Sequence, residues 1–170
     1  NMPWFDFSAP EAATCTAFCH GHISEARSLA ATATDAEAAL IDALAARVQA
    51  GHPVAQSEFD RWDDAYADAM RAVHRRFPED LDVIALFAEA MMTRTPWKLW
   101  DVKTGQPANG ADTLEARAVL EKGIALATAR GVLQHLAIVH YHIHLLEMSA
   151  TPEQALASAD ALAPLCPEMG

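Results

Sequence analysis

The sequence predicts an all-α fold, a right-handed stack of antiparallel helix pairs with one loop insertion at about 94–112. Three observations carry this expectation. Helix-start signals recur along the chain, apolar residues return at intervals of three and four between them, and alternating strand-like runs are absent. Composition agrees: alanine is about one residue in five, and of 170 residues 52% are hydrophobic, 7% aromatic and 21% charged. A chain this apolar is not disordered, and one punctuated by 7 Gly and 9 Pro holds no membrane span.

The elements follow in order. Ser8 with Glu11, Thr34 with Glu37, Asp112 with Glu115 and Thr151 with Gln154 have the spacing of a capping box or its Asp variant, in which a short side chain accepts an orphan N–H and the residue three on reaches back. Pro152 follows Thr151 at a first helical position, where its missing N–H costs nothing. Ser57 with Asp60 is a weaker form of the same signal. Apolar stripes fill the intervals: Leu40, Ile41, Leu44 and Val48; Trp62, Tyr66, Met70 and Val73; Val83, Ile84, Phe87, Ala90 and Met91; Leu120, Ile124 and Ala127; Leu136, Val139, Ile143 and Leu146. Breaks fall at Gly51-His52-Pro53, at Pro78, across Pro96 to Gly110, at Gly131, and at Pro164 and Pro167. These signals predict helices near 9–30, 35–50, 57–77, 80–94, 112–130, 134–149 and 152–163, joined by connections short enough for antiparallel neighbours. The 94–112 stretch is too long for a helix–helix turn, and Trp97 and Trp100 are expected to pin it to the body, either as a packed surface loop or as a ligand-binding one.

Charge and cysteine narrow the partners. With 12 basic against 23 acidic residues the net charge is −11, and only Lys98, Lys103 and Lys122 are lysines. An acidic surface repels phosphate backbones and anionic lipid, so neither nucleic acid nor membrane is expected as a partner. Cys15, Cys19 and Cys166 are too few and odd in number for a disulfide scaffold, which points to a reducing, cytoplasmic setting. No signal peptide is visible, and the run from Asn1 to Gly170 reads as a single helical-repeat domain excised from a longer chain.

Paired helices with Pro at their boundaries fit a repeat. The tetratricopeptide pattern asks for large, large, small, large, then Ala, then Pro. Val139, His142, Ile143 and Leu146 hold the first four places, Ala155 the Ala place and Pro167 the Pro place, with His142 and Ile143 fitting poorly. Pro78 with Ile84, Phe87, Ala88 and Met91 fits the preceding junction, but the next Ala place falls on Trp100, where the insertion breaks the repeat. Four segments stand apart from that pattern: Tyr66-Ala-Asp-Ala-Met70, Phe77-Pro-Glu-Asp-Leu81, Pro96-Trp-Lys-Leu-Trp100, and His140-Tyr-His-Ile-His-Leu-Leu-Glu-Met-Ser149 running into Pro152-Glu-Gln-Ala-Leu156. On these segments the chain resembles a largely uncharacterised bacterial and fungal group of tetratricopeptide-repeat-like proteins, over about 57–170 and loosely before that. The resemblance implies the fold, and a further His-rich stretch beyond the position of Gly170.

One spacing points to chemistry. At about 100° per residue, His140, His144 and Glu147 project from a single helix face. Two imidazoles and a carboxylate can hold a first-row metal (Zn, Fe or Cu) with positions left open, or they can border the apolar seam with Glu147 as an ion-pair partner. Cys15, Cys19 and His22 also share one face, readable as helix packing or as a thiolate site for Zn or Cu(I). Asp63, Asp64 and Asp68, and Glu79, Asp80 and Asp82, read as solvated faces or helix-start charges, and Arg71 as the surface partner of the Asp-rich turn before it. No nucleophile elbow or phosphate loop is present.

Two functions are expected. In the first, the chain is a repeat scaffold that binds a peptide or partner protein in a concave groove around Phe87, Met91, His140 and His144, with Trp97 and Trp100 beside it and self-association possible at an uncapped end. In the second, it is a metal-dependent enzyme, an oxidase, oxygenase or hydrolase, with His140 and His144 as ligands, Glu147 as ligand or general base, and Trp97 and Trp100 closing the pocket.

Overall fold

The computed structural model describes residues 3–166, which divide at Phe77/Pro78 into two compact units. The all-α expectation holds, apart from one very small hairpin. Pro167, assigned to the repeat's Pro place, lies outside the described residues.

The first unit opens with a 3₁₀ turn at Trp4–Asp6, followed by α1 (Ala9–Leu29), α2 (Asp35–Arg47) and α3 (Gln56–Arg76). Two capping boxes form where the sequence places them. Ser8 N–H and Oγ–H donate to Glu11 Oε2 at 2.8 and 2.5 Å. Thr34 does the same to Glu37 at 2.8 Å, and Glu37 N–H donates back to Thr34 Oγ1 at 3.3 Å. The weaker signal is displaced: α3 starts one residue early, at Gln56, and Asp60 accepts from the Gln56 amide rather than from a cap. Helix α2 packs on α1 and on α3. The apolar cluster joins Trp4, Ile23, Val48, Phe59 and Trp62. Trp4 stacks on Phe59 at 4.5 Å between ring centroids, and Trp62 stands edge-on to both, which is the geometry aromatic quadrupoles favour.

The second unit contains α4 (Leu81–Arg94), the two-residue strands β1 (Trp100–Asp101) and β2 (Gln106–Pro107), α5 (Thr113–Arg130), α6 (Leu136–Leu146) and α7 (Leu156–Leu165). Asp80 caps α4, accepting from the N–H groups of Asp82 and Val83 at 3.0 and 3.1 Å. Two other expected caps are diverted. Asp112 binds the Arg94 guanidinium instead of its helix, and the Gln154 amide oxygen accepts from Arg117, so the last helix begins as a 3₁₀ turn over Pro152–Ala155. Gly131, at φ 64°, ends α5 in the left-handed conformation that spares glycine a Cβ clash.

The core of this unit is dense. Helix α4 packs on α5 and α6, and α6 on α7. Ile84, Phe87, Met91, Leu120, Ile138 and Leu145 are all buried. At Gly123 an added Cβ would stand 2.7 Å from Ile138 and 2.9 Å from Ile84, so α5 owes its close approach to that missing methyl.

The insertion is a hairpin pairing Trp100 with Pro107 and Asp101 with Gln106. Trp100 pins it as expected: its indole N–H donates to the Leu145 carbonyl at 2.5 Å. Trp97 is 62% exposed and sits at φ 57°.

Candidate functional site

An open recess lies in the first unit, between α1 and α2. Along α2 the buried positions are Ala39, Ala43 and Arg47, one turn apart, and the two alanines let the helix approach α3 closely. This turns the bulkier stripe sideways. Leu40 and Ile41 are half-buried and Leu44 is 42% exposed, contrary to the core stripe the periodicity predicts. Opposite them α1 presents Cys15, Cys19, Ile23 and Ala26, side chains too small to fill the gap. The result is an open apolar cavity of about 560 Å³, with Phe7, Phe18 and Leu44 among its walls. A second recess of about 420 Å³ along α1 shares the walls Phe7, Cys15 and Phe18.

Arg47 is the one guanidinium in the lining. It is buried, with its Nε 3.4 Å from Asp63 Oδ1 and its guanidinium over the rings of Trp4 and Tyr66 at 5.9 and 5.6 Å. Planar, weakly hydrated guanidinium suits such a stacked, half-aromatic site. Asp63 therefore corrects the sequence reading of a solvated face, since it is the buried counter-charge of Arg47. Arg71 does pair with Asp68 on the surface, at 2.6 Å.

Cys15 and Cys19 line the cavity as free thiols with their sulfurs 3.8 Å apart. Burial, and then the neighbouring Cys15, pushes the Cys19 thiol above its ordinary range, so it stays protonated. His22 also lines the recess, at its exposed side, where it meets the Phe18 ring and Glu25.

On α6 the structure brings His140, His144 and Glu147 together. The two Nε2 atoms are 3.1 Å apart, and His144 Nδ1 lies 3.1 Å from Glu147 Oε1. Glu147 is thus on the edge of the His144 ring that faces away from His140. Burial, followed by the His144 charge, holds the His140 imidazole below its usual range. Among the described residues no three His, Cys, Asp or Glu side chains form a metal cage. His142 points the other way, as its spacing requires, and is buried with Nδ1 2.8 Å from Ser158 Oγ.

The groove expected around Phe87 and Met91 is not open. Both side chains are core, 1% and 0% exposed, because α4 is covered by α5 and α6. Trp100 is buried as well, whereas Trp97 and His144 are exposed and His140 is half-buried. The α1/α2 recess went unforeseen. Its signal was present as the run of small residues Cys15, Cys19 and Ala26 facing the Ile41–Leu44 flank.

Comparison with known proteins found no matching family model, no significantly similar curated protein and no significantly similar solved structure. Among the described residues no helix is long and apolar enough to cross a membrane.

Proposed function

We propose that the chain is a helical-repeat scaffold of the tetratricopeptide-like kind, and that the recess between α1 and α2 receives an apolar side chain of a basic partner peptide. The observation that carries this reading is the recess itself. It is open and apolar, and it leaves Phe18 66% and Leu44 42% exposed, a cluster that a partner's side chain would cover. Charge chooses the sign of that partner. Residues 1–77 hold eleven Asp and Glu against six Arg and no Lys, within a chain of net charge −11.

Supporting the repeat, α4 packs on α6 as well as on α5, as the first helices of successive stacked pairs would. The pattern residues Ile84, Phe87, Ala88 and Met91 on one helix, and Val139, His142 and Leu146 on the other, are all buried. A cytoplasmic setting belongs to this reading, one in which Cys15 and Cys19, with sulfurs 3.8 Å apart, would remain reduced.

The test is a calorimetric titration with a Leu/Lys amphipathic peptide, with a Leu/Glu counterpart as control. Binding of the Leu/Lys peptide, weakened by salt and lost in Phe18→Asp and Leu44→Asp variants of unchanged helicity, is the expected result. Equal binding by both peptides, or binding that survives both variants, would overturn the reading.

A second reading, a metal-dependent oxidase, oxygenase or hydrolase, is favoured by one observation, the meeting of the two imidazoles on α6. What that geometry supports is metal binding. Glu147 is already engaged at Nδ1 of His144 and does not face the space a bound water would occupy.

A further inference from the structure

His140 and His144 on α6 and Glu147 at its C-cap form a proton-ordered set. An ionised carboxylate only accepts, so the contact of Glu147 Oε1 with His144 Nδ1 at 3.1 Å places the ring proton of neutral His144 on Nδ1. Nε2 of His144 is then left with its lone pair aimed at Nε2 of His140, 3.1 Å away. As the rings stand, His140 donates the proton shared between these two nitrogens.

We infer that His140 and His144 chelate a divalent first-row metal ion through their two Nε2 atoms, and that Glu147 is the outer partner fixing the His144 tautomer rather than a ligand. The distances fit. Two nitrogens each about 2.0–2.1 Å from a tetrahedral zinc lie about 3.3–3.4 Å apart, so the rings need only a small rotation to admit the ion, while the ring proton of His140 moves from Nε2 to Nδ1 through solvent. The helix holds the two residues one turn apart, and a carboxylate behind a ligating imidazole is the recurrent arrangement that raises its basicity. Access is open, since the side chains of His144 and Glu147 are 49% and 47% exposed. With two protein ligands the ion keeps its remaining positions for water or for a donor from another molecule. This inference does not depend on the α1/α2 recess.

The test is calorimetric titration of the untagged chain with Zn²⁺. One ion per chain is expected, with binding abolished in His140→Ala and in His144→Ala and weakened about 10- to 100-fold in Glu147→Gln. The Cys15→Ser/Cys19→Ser double variant should bind as the wild type does. Because neither histidine is a core side chain, circular dichroism should be unchanged in every variant. In parallel, imidazole ¹⁵N shifts should report an Nδ1–H His144 in the wild type and a mixed tautomer in Glu147→Gln. Absence of binding, binding that survives both His variants, or binding lost with the cysteines would overturn the site. Wild-type affinity in Glu147→Gln would overturn the role of the carboxylate.

Discussion

The two units are built from the same kind of alanine-rich helix, yet they place their large side chains in opposite ways. In the second unit Phe87, Met91, Ile84 and Leu120 all turn inward, and a glycine at position 123 lets the helices close on them. In the first, α2 turns two alanines and an arginine inward and leaves Ile41 and Leu44 beside a cavity. Similar hydrophobic content therefore yields a filled core in one unit and an open apolar recess in the other. What differs is the register of small residues, because the face carrying alanine at every fourth position becomes the one that packs.

Substitutions break this comparison most sharply where the fillings differ. Phe87→Ala should cost about 3–5 kcal/mol in urea unfolding, by lost burial and an unrelaxed cavity, whereas Leu44→Ala should change stability by no more than about 0.5 kcal/mol. A comparable loss at both positions would mean that the α1/α2 recess is closed in solution. The next effect concerns the polar pair that replaces an apolar centre in the first unit. Arg47→Met should destabilise by several kcal/mol, on the order of 3, because it strands a buried carboxylate at Asp63. Adding Asp63→Leu to it should recover most of that loss, since two apolar side chains of matching size need no counter-charge. Recovery failing in the double variant would assign the cost to lost stacking on Trp4 and Tyr66 instead.

The smallest effect is a pH dependence confined to the helix starts of the first unit. Hydrogen bonds from Ser8 hold the Glu11 carboxyl, and those from Thr34 the Glu37 carboxyl, below the ordinary carboxylate range. A group with a depressed folded pKa contributes stability above its unfolded value and loses it as pH falls through the folded one. Relative to its intrinsic rate, amide exchange in the first turns of α1 and α2 should therefore quicken below about pH 4, and Glu11→Gln with Glu37→Gln should flatten that response. Exchange that quickens equally in the substituted chain would exclude the capping boxes as its source.

Much of the fold was legible because helix boundaries are written locally. Ser8, Thr34, Pro78 and Gly131 each act within one turn of chain, and the elements they bound lie within a few residues of expectation. The diverted caps were not legible, because the competitors of Asp112 and Gln154 are Arg94 and Arg117, distant in sequence and adjacent only after packing. The hairpin also escaped notice, since two-residue strands leave no period to read. For the candidate sites the same division holds. His140, His144 and Glu147 share one helix, so their meeting follows from 3.6 residues per turn. Phe87 and Met91 were assigned to a groove from their stripe alone, and a stripe says which face is apolar but not whether another helix covers it. Arg47 was passed over for the same reason, because its partner Asp63 belongs to the next helix.

The hairpin at 100–107 carries a last consequence for chain connectivity. Its base is tied twice, by the Trp100 indole on the Leu145 carbonyl and by the Thr113 hydroxyl on the Leu99 carbonyl. Gly105, near the turn, is fixed by its positive φ and by the methyl of Ala150, 2.7 Å from where a Cβ would stand. Val102, Lys103 and Thr104 are exposed. The covalent link between the two halves of this unit thus crosses its surface at three residues on which little of the packing depends. New chain ends or an inserted segment placed there would alter the order of the polypeptide while leaving its core unchanged.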